Sequence, residues 1–291
     1  MSLVKVAAIQ MNCTTVPDEN IKHAEELVRK AASLGAKIIL LPELFERQYF
    51  CQERRYDYYD FAEPTNENKA VLHFQKIAKE LSLVIPISFY EKDETRLFNS
   101  IAMIDADGSV MGVYRKTHIP DDHYYQEKFY FTPGNTGFKV WNTRYGKVGV
   151  GICWDQWFPE TARSMALMGA DILLYPTAIG SEPILGVDSS GHWQRTMQGH
   201  SAANIIPVMA ANRYGTEKVE PSTENGGQSS SLTFYGTSFI TDETGDVIAQ
   251  AGKSGDEVLT SEFDFAKIRE DRFSWGLFRD RRPETYGIIT K

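Results

Sequence analysis

The run Val148-Gly149-Val150-Gly151-Ile152 is apolar and glycine-interrupted, and it leads straight into Cys153-Trp154-Asp155, with a helical pattern opening at Phe158-Pro159-Glu160. That order dictates strand, tight turn and helix. A turn at the end of a strand exposes its side chain at a sheet rim, and a neighbouring helix N-terminus favours thiolate over thiol. Taken alone, Cys153 also reads as a small buried core residue. Two other positions bear on the choice. Lys37-Ile38-Ile39-Leu40-Leu41 reads as a strand buried on both faces, ended by Pro42-Glu43. Ser109-Val110-Met111-Gly112-Val113-Tyr114-Arg115 is strand-like, follows the turn Asp105-Ala106-Asp107-Gly108, and is followed by Lys116. Glu43 or Lys116 alone would be a solvated charge. Ligands of open α/β sheets gather beyond the carboxyl ends of strands, so a carboxylate, an ammonium and a thiol at three such ends form a candidate catalytic set.

Around these positions the chain alternates helical and strand-like segments. Asp18-Glu19-Asn20 caps a helix whose apolar residues Ile21, Ala24, Leu27, Val28, Ala31 and Leu34 recur at helical spacing until Gly35. Residues 66–82 repeat that pattern, and strands follow at 83–89, 97–104 and 109–115. Beyond Cys153 the spacing predicts helices at 160–169 and 189–205 and strands at 171–175 and 206–211. The final third reads as mostly β, with strands at 233–240, 246–250 and 257–263, and 224–231 as a mobile polar loop. Mixed α/β order implies helices packed on sheets. No linker divides the 291 residues, so one domain over 1–291 is expected, and 42% hydrophobic residues suffice for its core.

Leu41-Pro42-Glu43, Tyr114-Arg115-Lys116-Thr117-His118 and Gly149-Val150-Gly151-Ile152-Cys153-Trp154-Asp155 resemble, in order and separation, the three signature stretches of the nitrilase superfamily of carbon–nitrogen hydrolases. Residues 118–134 and Phe278-Arg279-Asp280-Arg281-Arg282-Pro283 are similar to the branch of that superfamily that cleaves N-carbamoylputrescine. The resemblance implies a four-layer α-β-β-α sandwich with two facing mixed sheets, and subunits packed through their helices as a homodimer or higher homo-oligomer. The tail from about 273 to 291, with Trp275, Phe278 and Tyr286, suits such an interface or an anchor to its own domain.

Amide or ureido hydrolysis by a thiol asks for a nucleophile, a base and an oxyanion donor. Cys153 suits the first, Glu43 the second if partly buried, and Lys116 with the Trp154 N–H the third. The resemblance implies the same roles, and further that Glu127 orients Lys116 or the substrate amide. Glu182, in the Gly180-Ser181-Glu182-Pro183 loop on the rim of Cys153, is either a solvated charge or the partner of a cationic ω-amine, the role the resemblance favours. Tyr130, Trp154 and Trp157 could line a channel for an alkyl chain or pack in the core. Substrates bearing a carboxylate, such as carbamoyl amino acids or ω-amides, would instead need an arginine, for which Arg163, Arg195 and Arg213 stand open. A silent scaffold on the same fold is disfavoured by intact Glu43, Lys116 and Cys153.

The reading calls for no cofactor and no metal. His118 and His123 bracket Asp121 and Asp122 but match no zinc spacing. Cys13, Cys51 and Cys153 are widely spaced and odd in number, which argues against a disulfide framework and makes Cys13 and Cys51 structural. A net charge of −8 without a dense basic run disfavours nucleic acid. With no long apolar stretch and a charge inside the first strand, neither membrane nor leader is expected, and the expected location is the cytoplasm.

Overall fold

The computed structural model describes residues 3–184 and 186–290. β1 (Val4–Gln10) is paired on both sides, parallel to β2 (Ile38–Leu40) and antiparallel to the last strand of the chain. α1 (Pro17–Ser33) makes the crossover, burying Ile21, Ala24, Leu27, Val28 and Ala31. Leu34, expected in that stripe, caps the helix and is exposed. α2 (Lys69–Leu81) is capped by Asn68, whose Oδ1 accepts the Val71 N–H at 3.0 Å. β3 (Ile85–Asp93), β4 (Arg96–Ile104) and β5 (Val110–Arg115) form a meander joined to β2 through the Ile38–Val84 bridge. Both helices cover the outer face of this first sheet, with Phe45, Val71, Phe74 and Ile87 among the buried residues between them.

The second sheet begins with β6 (Val140–Thr143), β7 (Gly146–Val150), β8 (Ile172–Pro176) and β9 (Val208–Ala211). α3 (Pro159–Leu167) and α4 (Ser190–Asn204) supply the two parallel crossovers and cover its outer face. β10 (Tyr214–Val219) and β11 (Ser230–Tyr235) form a two-stranded ribbon, after which β12 (Phe239–Thr241) and β13 (Val247–Gln250) complete the second sheet in the order β13-β12-β9-β8-β7-β6. β14 (Glu257–Phe263) returns to pair with β1. The inner faces of the two sheets meet in one core containing Val6, Leu40, Ile101, Val150, Leu174 and Met209. This is the four-layer α-β-β-α sandwich.

Three readings of the final third need correction. Residues 233–240 are two strands in different sheets, because the chain turns at Gly236 and Thr237, both at positive φ (+60° and +51°). A Cβ on Gly236 would sit 2.7 Å from the Lys253 carbonyl oxygen, so only glycine fits. The segment 224–231 is a fixed turn running into β11: Asn225 is buried, its Nδ2 donates to Glu53 Oε2, and its Oδ1 accepts the Ser222 and Gly227 N–H groups. The tail also holds a helix, α5 (Phe265–Trp275), started by Asp264, whose side chain accepts the Ala266 and Lys267 N–H groups. Its apolar residues lack a continuous stripe, which is why periodicity misses it.

Candidate active site

Glu43 lies just past β2, Lys116 just past β5, and Cys153 just past β7, all at one rim of the sandwich. Glu43 Oε1 accepts hydrogen bonds from Lys116 Nζ at 2.8 Å and Asn99 Nδ2 at 2.7 Å. Its Oε2 is buried and has no hydrogen-bond partner among the described residues. One carboxylate oxygen is therefore anchored and the other is left as a proton acceptor. Lys116 Nζ also donates to Glu127 Oε2 at 2.6 Å, and Glu127 Oε1 accepts the Tyr49 hydroxyl at 2.6 Å. All these side chains are essentially inaccessible to solvent.

A lysine between two carboxylates keeps its proton: burial works against the charge, but Glu127 and Glu43 together outweigh it and hold the ammonium well above its ordinary pKa. Glu127 moves the opposite way to most paired acids. Burial, helped by the Glu43 charge, raises its carboxyl above the usual range despite Lys116. Tyr49 is raised by burial and by the Glu127 charge, so its hydroxyl stays a donor.

Cys153 has φ +40°, a left-handed conformation that a side chain rarely adopts and that is consistent with a residue forced to the apex of a turn. It opens a 3₁₀ turn, Cys153–Trp157, and α3 starts only at Pro159. The expectation that a helix N-terminus favours the thiolate is therefore wrong. The thiol is raised well above its usual pKa by burial and by Glu43 and Glu127, with Lys116 and a hydrogen bond from Thr177 opposing. A neutral resting thiol needs a base, and Glu43 is close enough to perturb it electrostatically.

Two buried ties hold the strand ends in register. Asp155 Oδ2 accepts the Ile152 N–H at 2.9 Å and the Tyr114 hydroxyl at 2.7 Å. Its Oδ1 accepts from the His118 backbone N–H at 3.0 Å and from His118 Nδ1 at 2.7 Å. One carboxylate thus fastens the Cys153 turn to the segment carrying Lys116. Gly134 supports that segment from the other side by donating its N–H to the Lys116 carbonyl at 2.8 Å; a Cβ there would lie 2.1 Å from the Arg115 carbonyl oxygen. On the second tie, Arg213 is fully buried and donates to the carbonyls of Glu43, Leu44 and Arg47 and to Glu217 Oε1. Glu217 Oε2 in turn accepts the Tyr49 N–H. The guanidinium thereby holds the turn after Glu43, including Leu44 at φ +48°.

Above the thiol lies a cleft of about 150 Å³. Sites for drug-sized ligands run to roughly 300–1,000 Å³, so this one suits a small linear molecule. Cys153 and Glu127 lie within it, Trp154, Trp157 and Ile179 give it apolar walls, and Asp121, Asp122 and Glu182 bring carboxylates to it. Glu182 is half-buried, and its carboxyl is raised by burial and by the Asp122 charge. Tyr125 joins the two lips: its hydroxyl accepts the Gly180 N–H at 3.0 Å and donates to the Ser181 carbonyl at 3.3 Å.

Tyr130 is not part of this cleft. It sits in an aromatic cluster against Phe50 and Tyr58, its hydroxyl donating to the Glu53 carbonyl at 2.8 Å. Tyr125 occupies the position expected of it. Nor does any of the three open arginines line the cleft: Arg163 lies over the Phe278 ring, Arg213 is walled in behind Glu43, and Arg195 is elsewhere. His118 Nδ1 is committed to Asp155 and its ring stacks on Phe158 at 3.6 Å. Sequence reasoning missed Tyr49, Asn99, Tyr125 and Thr177, and weighed Arg213 only as a partner for a substrate carboxylate. Only Asn99 carries a signal, as an amide in the middle of an apolar strand.

The family model described as Carbon-nitrogen hydrolase matches residues 5–273. The sequence is 56% identical to a citrullinase of Francisella tularensis over 100% of this chain and 99% of that protein. It is 54% identical to an N-carbamoylputrescine amidase of Oryza sativa subsp. japonica, covering 99% and 95% of the two chains. A carbon–nitrogen hydrolase from Helicobacter pylori G27 superposes with a TM-score of 0.90 at 36% identity, over 100% of this chain and 99% of that one. Fold, rim geometry and sequence agree: the chain belongs to the carbon–nitrogen hydrolases of the nitrilase superfamily.

Proposed function

We propose that this protein hydrolyses N-carbamoylputrescine to putrescine, carbon dioxide and ammonia through a covalent intermediate on Cys153. The observation that carries the substrate assignment is the cleft over Cys153, which has three carboxylates besides Glu127 (Asp121, Asp122 and Glu182) and no arginine among its described residues. Burial and then the Asp122 charge raise the Glu182 carboxyl, and a bound ammonium would relieve the repulsion between the two carboxylates.

In this reading the free Oε2 of Glu43 takes the thiol proton as sulfur attacks the ureido carbonyl. Lys116 and the Trp154 N–H stabilise the oxyanion, and Glu43 returns the proton to the departing ammonia. Glu127, locked by Tyr49, holds Lys116 in place. Water activated by Glu43 then cleaves the thiocarbamate, and the resulting carbamic acid loses carbon dioxide to leave putrescine. Trp154 and Trp157 flank the butyl chain, and Glu182 receives the distal ammonium. A second reading, citrulline hydrolysis, is favoured by the Francisella tularensis relative. Citrulline brings a carboxylate, for which the described cleft residues include no arginine partner. Ammonia release on both compounds decides: kcat/KM is expected to be higher for N-carbamoylputrescine, and the reverse order overturns the assignment.

Glu182→Gln keeps size and removes charge. It is expected to lower kcat/KM for N-carbamoylputrescine by roughly ten- to a hundredfold, as for the loss of a charge-assisted contact of about 1.5–3 kcal/mol, while leaving neutral butylurea almost unchanged. Equal losses on both compounds would assign Glu182 a structural role in its loop.

The reading also takes residues 1–291 as one hydrolase domain acting as a homo-oligomer in the cytoplasm, with the tail at a subunit contact. Phe273, Trp275, Ile288 and Ile289 are all more than 60% exposed, apolar surface suited to a second copy of the chain. Sedimentation velocity should give a dimer or larger species, reduced in mass by Trp275→Glu combined with Ile288→Glu. A monomeric wild-type chain would remove this part of the reading. Among the described residues no helix is long and apolar enough to cross a membrane.

A further inference from the structure

Thr177 follows β8 directly after Pro176, just as Glu43 follows Pro42 beyond β2. It is fully buried, and its Oγ1 lies 3.1 Å from Cys153 Sγ with no other hydrogen-bond partner among the described residues. The backbone of Thr177 is fixed on both sides. Its N–H donates to the Ala211 carbonyl at 2.9 Å, and its carbonyl accepts the Glu43 N–H at 3.3 Å. A β-branched side chain on a fixed backbone has little χ1 freedom, so the hydroxyl is held against the sulfur.

The electrostatic setting gives that contact a task. Glu43 and Glu127 oppose negative charge on sulfur, and the ammonium of Lys116 is already engaged by both of them. A neutral donor on the sulfur stabilises the thiolate without adding a charge that would compete for Glu43. Hydrogen bonds to ionised acceptors are stronger than those to neutral ones, so the contact strengthens as the proton leaves.

We propose that Thr177 is a further catalytic residue, whose hydroxyl donates to Cys153 Sγ and stabilises the thiolate at the moment of attack. Glu43 takes the S–H proton and the bonding pair stays on sulfur. Thr177 keeps its own proton and only donates a hydrogen bond, and a sulfur lone pair then forms the bond to the carbonyl carbon. The proposal rests on Cys153 being the nucleophile.

The test compares wild type, Thr177→Val, which keeps the shape and loses the donor, and Thr177→Ser, which keeps the donor and loses the methyl. Three quantities are read: the rate of Cys153 alkylation by iodoacetamide from neutral to alkaline pH, followed by mass spectrometry; kcat and KM; and the melting temperature. Thr177→Val is expected to alkylate roughly tenfold more slowly at neutral pH, with its rising limb displaced to higher pH, and to lose kcat by a similar factor with little change in KM. Thr177→Ser should recover most of both. A Thr177→Val profile that overlays wild type overturns the proposal, as does equal slowing in both variants that tracks lowered melting temperatures. If fully alkylated wild type still turns over, the nucleophile assignment has failed instead, an outcome separate from either.

Discussion

Cys153→Ala is expected to abolish ammonia release while the protein keeps its far-ultraviolet circular dichroism and cooperative melting. Removal of a covalent nucleophile typically lowers kcat by at least about 10⁴-fold, and no second thiol can stand in. Cys13 and Cys51 are both buried, and neither lines the cleft. Cys13→Ala and Cys51→Ala should therefore retain turnover. Wild-type ammonia release by Cys153→Ala would remove the covalent mechanism altogether.

Lys116→Met should lower kcat by about two to three orders of magnitude, the range for loss of an oxyanion donor, and should also destabilise the fold. The second effect arises because Glu43 and Glu127 both lean on this one ammonium. Removing a single partner from a buried ion cluster costs roughly 3–5 kcal/mol when the remaining charge stays unpaired. The variant has a way to reduce that cost, which is to bind protons. Glu127 is already raised in the folded state, so the fold binds more protons than the unfolded chain above the ordinary carboxylate pKa. Its contribution to stability is present in acid and is lost as pH rises through the raised value. Without Lys116 the Glu127 carboxyl loses the charge that holds it down and is raised further. Urea midpoints of variant and wild type should lie close together in mild acid and separate as pH rises; a constant gap would show that the cluster does not titrate as a unit. A normal kcat with only KM raised would reassign Lys116 to ground-state binding.

The strand ends carrying Glu43, Lys116 and Cys153 are legible in the sequence because each follows a strand-like apolar run, fully buried before Glu43 and half-buried before Lys116. Helices α1 to α4 show for the same reason. What periodicity could not supply was contact between segments distant in the chain. Arg213 looks like an anion receptor until the fold shows its donors occupied by the carbonyls of Glu43, Leu44 and Arg47. In the aromatic-rich stretch from Tyr124 to Phe131, nothing local separates Tyr125, at the cleft, from Tyr130, in the cluster around Phe50. The split of 233–240 hides in one glycine, since Phe234 and Phe239 on either side of it have equal strand character. Local helix rules misplaced the source of thiol activation, because the turn after Cys153 is 3₁₀ and the first full helix starts six residues later.

Glu43, Lys116 and Glu127 come from the first half of the chain, and Cys153 and Thr177 from the second. Arg213 and Asp155 are the fasteners that cross between them. A nascent polypeptide therefore carries its acid–base groups for some time before it possesses a thiol to serve. Even after Cys153 has been synthesised, Thr177 and then Arg213 have yet to follow. With these residues in the roles proposed for them, competence is expected only once the second sheet closes over the first, which would make enzymatic output a late event in biogenesis. Two separately expressed halves, cut in the exposed turn near Arg144, should each be inert and should regain turnover only on reassociation.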